Sequence, residues 1–257
     1  MLKSEEKKIF FNLKSQILIV LLLAIIPIEM FAQLDKSILK KSDDAYFPTL
    51  SKFNFTIKLY EDNEYDKYYE LKCYIKGNKK YLAIFKNPPI VRRRAQLRIG
   101  DKIISYLAKI NRTTEISAKA AFAGSTFSEE DILSASLGYF YDLEKVEEVN
   151  LDGRKVLKLF LKSRSKETSY YRIESFIDKK TLLPIKRTYY SFSNQKIKEL
   201  KVIEIRKNKK GVEYIHLIMY DSLRKGTYAE VIMKDFEFPK RLDNRMFTKR
   251  YMEIATQ

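Results

Sequence analysis

The feature that most constrains the fold is an alternation of apolar and polar side chains that recurs along most of the chain after residue 50. In its first run the apolar side chains take every second position, at Phe53, Phe55, Ile57 and Leu59. A period of two places successive side chains on opposite faces of a β-strand. Further runs of strand character lie at residues 71–76, 81–85, 97–104, 156–161, 170–177, 185–192, 200–205, 212–220 and 228–233. The sequence therefore predicts a mainly β protein with about ten strands.

Short turn signals separate these runs, among them Gly77-Asn78, Gly100-Asp101, Asp152-Gly153, Lys210-Gly211 and Lys225-Gly226. Strands that follow one another through such turns pair antiparallel, and a sheet of this size curls or closes to protect its edges. Helical spacing is confined to residues 34–42, which Pro48 ends, and to a short helix that begins at the capping box from Ser128 to Asp131. We predict one domain, built on a large antiparallel sheet with few helices.

The first 32 residues have the order of a secretory signal peptide. Basic residues from Lys3 to Lys14 precede an apolar run at 17–26, and the small residue Ala32 follows. An uncleaved membrane anchor is the alternative, but a span needs about 20 apolar residues and this run is near half that length. We predict a signal peptide over residues 1–32, cleaved after Ala32, a single domain over 33–257, and a periplasmic location.

The scarcity of certain residue types argues against catalysis and against a bound cofactor or metal. The seven glycines lie too far apart for a dinucleotide-binding or P-loop pattern. Because His216 and Cys73 are the only residues of their types, multi-histidine metal sites, thiolate zinc sites and an internal disulfide are excluded. Both residues lie within strand patterns, which favours structural roles. The alternative is a hydrolase that uses paired acids such as Glu130 and Asp131, and it requires two carboxylates converging on one bond.

The formal net charge of +17 suggests an anionic partner. The densest positive cluster consists of Arg92, Arg93 and Arg94, with Arg98 nearby. Export argues against nucleic acid, so we expect these four arginines to contact anionic lipid headgroups or an acidic partner. The alternative is a solvated, lysine-rich surface with no partner.

Several short motifs occur in order along the chain. They are the helical stretch at 38–44, the strand at 53–59, Pro88-Pro89, residues 97–101 with Tyr106, a G-S-x-F-S-x-x-D element within 122–132, the strands at 171–178 and 183–186, and residues 246–248. Together they resemble the outer-membrane lipoprotein-sorting protein family, whose periplasmic carriers share the LolA-like fold. The chain departs from that family in having no Trp.

The resemblance implies an unclosed antiparallel half-barrel, with helices covering its open side and acyl chains held on its concave face. It also implies donor and acceptor proteins at the inner and outer membranes, and no catalysis. The candidate lipid contacts are Phe55, Ile57, Leu59, Leu71, Ile75, Ile173, Tyr214 and Ile218. Two alternatives stay open: a periplasmic regulatory or sensor module that binds a membrane-protein segment or a lipoprotein, and a plain two-layer core with no cavity.

Overall fold

The computed structural model describes residues 28–125, 127–133 and 136–257. The chain divides into two compact units, Met1–Ser37 and Ile38–Gln257, and every strand among the described residues lies in the second unit. Helix α1 spans Ile28–Tyr46 and contains the predicted helix at 34–42. Most of the predicted signal peptide lies outside the described residues and stays a prediction. No helix in the described part of the chain combines the length and the apolar character needed to cross a bilayer.

Within the described ranges, thirteen strands form one antiparallel sheet. They are β1 (Leu50–Glu61), β2 (Glu64–Lys76), β3 (Lys80–Asn87), β4 (Arg94–Ile99), β5 (Lys102–Leu107), β6 (Arg112–Ile116), β7 (Tyr141–Leu151), β8 (Arg154–Ser163), β9 (Arg172–Asp178), β10 (Pro184–Tyr190), β11 (Lys196–Asn208), β12 (Gly211–Asp221) and β13 (Tyr228–Glu237). The order across the sheet is β6-β5-β4-β3-β2-β1-β13-β12-β11-β10-β9-β8-β7. Because β1 pairs with β13, the first and last strands meet near the middle, and β6 and β7 form the two edges. The predicted mainly β fold, an antiparallel sheet not closed into a barrel, is confirmed.

The alternation seen in the sequence is the alternation of burial in the sheet. Phe53, Phe55, Ile57 and Leu59 of β1 are all at most 3% exposed, and they belong to the main core on one face, called here the inner face. β3 differs because five successive residues, 81–85, are buried. Its second face packs against a smaller core that includes the C-terminal helix α4 (Lys249–Ala255).

The segment between β6 and β7 leads from one edge of the sheet to the other and packs on the inner face. It contains the short helices α2 (Glu129–Ile132) and α3 (Leu137–Phe140). Three-residue or four-residue 3₁₀ turns lie at Pro89–Val91, Ala108–Ile110, Phe122–Gly124 and Asn244–Phe247. The predicted capping box is present, since Ser128 N donates to Asp131 Oδ2 (2.8 Å) and Asp131 N donates to Ser128 Oγ (3.4 Å). This segment and residues 38–47, which comprise the part of α1 in the second unit and the residue after it, together form what we call the cover.

Candidate functional site

A cavity lies between the inner face of the sheet and the cover. About 830 Å³ of space between atoms, part of it open to solvent, lies within its walls, and about 70 Å³ of that is accessible to the centre of a water molecule. Its sheet side is mainly apolar: Phe55, Ile57, Ile173, Leu200, Leu217, Met219, Ala229, Val231 and Met233. Its cover side adds Tyr46 at the end of α1 and Phe47 directly after it, with Phe127, Ile132 and Leu137. The cavity is thus a concave site with apolar walls, as small-molecule sites commonly are.

Asp43 ties α1 to the other half of the cover. Its Oδ2 accepts hydrogen bonds from Ser136 Oγ (2.9 Å) and Gly138 N (2.7 Å), and its Oδ1 accepts one from Leu137 N (3.2 Å). A Cβ at Gly138 would lie 3.1 Å from the same carboxylate oxygen, so a glycine suits this close approach. Burial nevertheless outweighs these hydrogen bonds and raises the pKa of Asp43 above its ordinary value. A second tie joins Ser42 Oγ to the carbonyl oxygen of Leu182, at 2.8 Å.

Asp131 connects the cover to the sheet. Its Oδ2 lies 2.7 Å from Nζ of Lys198, on β11, and its Oδ1 accepts a hydrogen bond from the Tyr170 hydroxyl. Lys198 Nζ also donates to the Tyr170 hydroxyl oxygen at 2.9 Å. Both charged side chains are at most 9% exposed. The result is a buried, hydrogen-bonded ion pair at the cavity wall, the arrangement in which removing one partner is strongly destabilising.

The two glutamates before Asp131 are also buried and bonded to different parts of the fold. Glu130 lines the cavity and accepts hydrogen bonds from the Tyr141 hydroxyl (2.7 Å) and from Ser169 N (2.5 Å). Glu129 points to the sheet, where Gln96 Nε2 donates to it at 2.8 Å and Arg94 Nη2 lies 3.5 Å away. Burial raises the pKa of both carboxyls, and that of Glu129 to about 7.

Arg187 of β10 is the only basic side chain in the described cavity lining. Its guanidinium carbon lies 5.4 Å from the centre of the Tyr46 ring, a cation–π contact. No carboxylate of the described residues lies within 4.0 Å of it, and its buried Nε has no acceptor there. Burial acts to lower the pKa of Arg187, but Tyr189, Tyr46 and the charge of Asp43 together favour its charged form and raise its pKa above the ordinary value.

The structure brings three of the eight predicted lipid contacts to the cavity: Phe55, Ile57 and Ile173. Leu59, Leu71 and Ile75 are buried in the same core but do not line the cavity. Tyr214 and Ile218 lie on the other face of β12, half exposed. Their neighbours in the strand, Leu217 and Met219, take the cavity positions.

A β-bulge explains the face that Tyr214 occupies. Between the pairs Arg206–Tyr214 and Lys207–Val212, β12 advances by two residues while β11 advances by one. The extra residue reverses which positions face the core. Val212 is therefore buried, and the buried series then resumes at Ile215. Since both alternating series in this strand are apolar or aromatic, the sequence pattern alone is compatible with either face.

The four predicted surface arginines separate into two pairs. Arg92 and Arg93 are exposed in the β3–β4 loop. Arg94 is partly buried beside Glu129, with its guanidinium 4.9 Å from the centre of the Phe85 ring. Arg98 is 3% exposed, lies 3.9 Å from the centre of the Phe140 ring and donates from Nε to the carbonyl oxygen of Gly100. Only the first pair is available to a partner at the surface.

The remaining candidates occupy structural positions. His216 Nε2 lies 3.0 Å from Glu230 Oε1 on the half-exposed face of β12. Cys73 is fully buried, and burial raises the pKa of its thiol to about 12. Within the described ranges, no group of three or more His, Cys, Asp or Glu residues is placed to hold a metal ion.

Of the acidic and basic residues that line the cavity, only Glu130 and Asp131 were singled out from the sequence. Asp43 enters the sequence analysis only as part of the helical stretch at 38–44, and neither Arg187 nor Lys198, the partner of Asp131, is singled out there. One available signal was the position of Arg187, two residues before Tyr189 and therefore on the same side of the strand as that aromatic residue. A buried charge is uncommon without a partner, however, and no local pattern reveals the partner.

The fold is similar to that of known proteins. A protein-family model described as "Uncharacterized protein" matches residues 77–254. No curated protein matches the chain. Among solved structures, a LolA superfamily protein from Nitrosomonas europaea superposes with a TM-score of 0.74 at 21% identity, over 84% of this chain and 98% of that one.

Two further solved structures are similar to the same extent. An outer membrane lipoprotein-sorting protein domain from Vibrio parahaemolyticus has a TM-score of 0.74 and 21% identity, and covers 86% of this chain and 99% of its own. A DUF1329 family protein from Desulfovibrio piger has a TM-score of 0.73 and 20% identity, over 86% of this chain and 98% of that one. The resemblance found in the sequence is therefore confirmed at the level of the fold.

Proposed function

The chain belongs to the family whose model matches residues 77–254 and has the fold of the LolA superfamily, and on this premise we propose that it is a periplasmic carrier of acyl chains. The cargo is the acyl part of a lipoprotein or of another lipid, held in the cavity by reversible burial and moved between membranes. No catalytic step is part of this proposal.

The observation that carries the proposal is the apolar sheet side of the cavity. Nine apolar side chains from five strands line it, and none of them offers a directed polar contact. Each CH₂ group that moves from water into such a site contributes about 0.8 kcal/mol, so an acyl chain binds through its length alone. The polar groups of the lining lie at the cover, at Arg187 and at the tyrosines 81, 170 and 189, where the polar end of an amphiphile would find hydrogen-bonding partners.

The proposal also includes the export of the chain, the extent of its domain and its partners. Residues 1–32 act as a cleaved signal peptide, and residues 33–257 form the carrier domain in the periplasm. The partners are a donor at the inner membrane and an acceptor at the outer membrane, with no role for nucleic acid. A carrier of this kind requires a cavity that the cargo can both enter and leave.

A pair of neighbouring substitutions in β12 tests the proposal. Met219 lines the cavity and Ile218 faces the other side of the sheet. We expect Met219→Trp to fill the cavity and lower the affinity for a fluorescent fatty acid about tenfold or more, because several CH₂ contacts are lost. The matched control, Ile218→Trp, should bind the probe as the unmodified protein does, and native mass spectrometry should detect co-purified lipid in both the control and the unmodified protein.

Two results would contradict the carrier proposal. One is a protein that purifies without lipid and binds no acyl probe. The other is equal probe binding by Met219→Trp and Ile218→Trp, which would place the bound acyl chain outside this cavity. A delipidated protein that still captures a periplasmic protein segment, without binding the probe, would favour the regulatory or sensor alternative.

A further inference from the structure

The two most exposed large apolar side chains of the described residues lie in loops at the same end of neighbouring strands. Ile90 is 88% exposed in the β3–β4 loop, and Ile110 is 61% exposed in the β5–β6 loop. Leu107, at the end of β5, is 39% exposed. Single exposed apolar residues need no explanation, but several on adjacent loops mark an interaction surface.

Both loops hold these residues outward in hydrogen-bonded turns. In the β3–β4 loop, Val91 packs against the main core, and Arg92 donates from Nε to the carbonyl oxygen of Lys86 at 3.1 Å. Ile90, which precedes the anchored Val91, therefore faces solvent. In the β5–β6 loop, Asn111 adopts a left-handed conformation and its side chain accepts a hydrogen bond from the Tyr106 hydroxyl at 3.1 Å. The exposure of Ile110 is thus a feature of a fixed turn.

The two loops are neighbours and form one surface. Strand β4 pairs with both β3 and β5, and Arg94 lies opposite Leu107. Ala108 N donates to the carbonyl oxygen of Arg93 at 2.8 Å, which joins the loops directly. We call this surface the β3–β6 tip; its residues are Lys86, Ile90, Arg92, Arg93, Leu107, Lys109, Ile110 and Arg112.

The charge of the β3–β6 tip has one sign. Its five basic residues are exposed, and residues 86–93 and 107–114 contain no Asp or Glu. In the part of the chain that the structure describes, none of the five has a carboxylate within 4.0 Å. The acids that border the tip are Glu115, three residues after Arg112 in β6, and Glu70, which accepts a hydrogen bond from Asn87. More acids lie in the β1–β2 hairpin, at 61–66.

We propose that the β3–β6 tip docks the protein on the surface of an anionic phospholipid bilayer. Ile90, Leu107 and Ile110 insert at the level of the headgroups, while the basic side chains contact lipid phosphates. Fixed apolar residues among unpaired cations complement a surface whose negative groups lie over an apolar layer. A single-stranded nucleic acid would instead require exposed aromatic rings for stacking, and this tip presents aliphatic side chains.

Vesicle sedimentation of the protein purified after export tests the proposal. The vesicles are phosphatidylcholine alone, or phosphatidylcholine with about a third phosphatidylglycerol. We expect binding to the anionic vesicles only, falling as salt is raised. Arg92→Gln with Arg93→Gln should lower the partition coefficient about 25-fold, since each basic residue near such a surface contributes about fivefold. Ile90→Ser with Ile110→Ser should lower it about tenfold or more.

Matched controls lie elsewhere on the surface. Lys209→Gln with Lys210→Gln removes the same charge from the β11–β12 turn, and Ile203→Ser removes an isoleucine that is 53% exposed. The controls should bind vesicles about as the unmodified protein does, apart from a small effect of net charge. Tip variants that match their controls, or a protein that ignores anionic vesicles, would overturn the proposal. So would tip variants that keep vesicle binding but lose a crosslinked protein partner, which would assign the tip to a protein instead. Because acyl-probe binding should stay unchanged in every tip variant, this result is separate from the fate of the carrier proposal.

Discussion

Replacing Glu129 with Gln should make the protein more stable at neutral and alkaline pH. The carboxyl is 1% exposed, and burial raises its pKa from the ordinary 4.5 to about 7, although Arg94 and Gln96 act in the opposite direction. Between these two values the folded state binds a proton that the unfolded state has released. This proton contributes to the free energy of unfolding. The contribution is complete below about pH 4.5, decreases as the pH rises, and is lost as the pH passes about 7.

The magnitude follows from that difference in pKa. It corresponds to about 3 kcal/mol over the whole window, and to about 2 kcal/mol or more between pH 5 and pH 8. Gln keeps the shape and a hydrogen-bonding group but does not ionise. We expect Glu129→Gln to equal the unmodified protein near pH 5 and to exceed it by about 2–3 kcal/mol at pH 8, in urea unfolding monitored by circular dichroism.

Other carboxyls do not affect the difference in stability between Glu129→Gln and the unmodified protein. Burial also raises the pKa of Asp43 and Glu130, so they add to the same trend, but they are common to both proteins. Surface acids such as Glu148 and Asp243 have lowered pKa values through hydrogen bonds to basic partners, so their contribution is lost only as the pH falls below about 4.5. Parallel pH profiles for Glu129→Gln and the unmodified protein would refute the reasoning, as would a variant less stable than its parent at pH 8.

Three further outcomes follow from the contacts of the core and the cover. Asp43→Ala should lower the free energy of unfolding by about 2–3 kcal/mol, because three hydrogen bonds to buried donors are lost. The control is Asp44→Ala at the next position, where the side chain is exposed, and it should change the free energy of unfolding by less than about 0.5 kcal/mol. Lys198→Met should cost about 3–5 kcal/mol in the same urea assay by leaving Asp131 charged and buried, and a double variant with Asp131→Asn should recover more than half of the loss. Cys73 should resist iodoacetamide at pH 8 in the folded protein and react in urea, since burial both hides the thiol and keeps it protonated; labelling of the folded protein at the rate of a free thiol would contradict its placement.

The parts of the fold that were predicted correctly depend on local chemistry. Alternation and turn residues identify a strand without reference to its partner, so eleven of the thirteen strands overlap the predicted runs. The two that the sequence analysis did not predict are β6 and β7, the edges of the sheet. An edge strand has one paired neighbour and buries fewer side chains, and β6 buries none of its five residues fully. Its sequence therefore lacks the apolar alternation that reveals the central strands.

The cavity, in contrast, depends largely on contacts between residues far apart in the chain, which local sequence patterns do not reveal. Its apolar positions in β1 follow directly from the period of two, whereas those in β12 depend on a bulge that no local pattern marks. Its polar contacts depend on pairs of residues far apart in the chain: Asp43 and Ser136 are 93 residues apart, and Asp131 and Lys198 are 67 apart. A charged residue taken alone is expected at the surface, and only the folded arrangement supplies the partner that lets it be buried.

The difference between apolar and polar contacts has an energetic consequence for the cover. Apolar contacts with the sheet are non-directional, so they tolerate a range of positions of the cover. Hydrogen bonds are directional, so those of the four buried acids are satisfied in one position of the cover; these acids are Asp43, Glu129, Glu130 and Asp131. Buried carboxylates contribute little net stability, because desolvation offsets most of what their partners provide. They therefore define where the cover lies more than they strengthen the fold. Glu129→Gln separates the two effects. At pH 8 it should raise the free energy of unfolding while it weakens the charge-assisted contact to Arg94. We therefore expect the variant to be more stable than its parent and yet to exchange the backbone amide hydrogens around α2 faster.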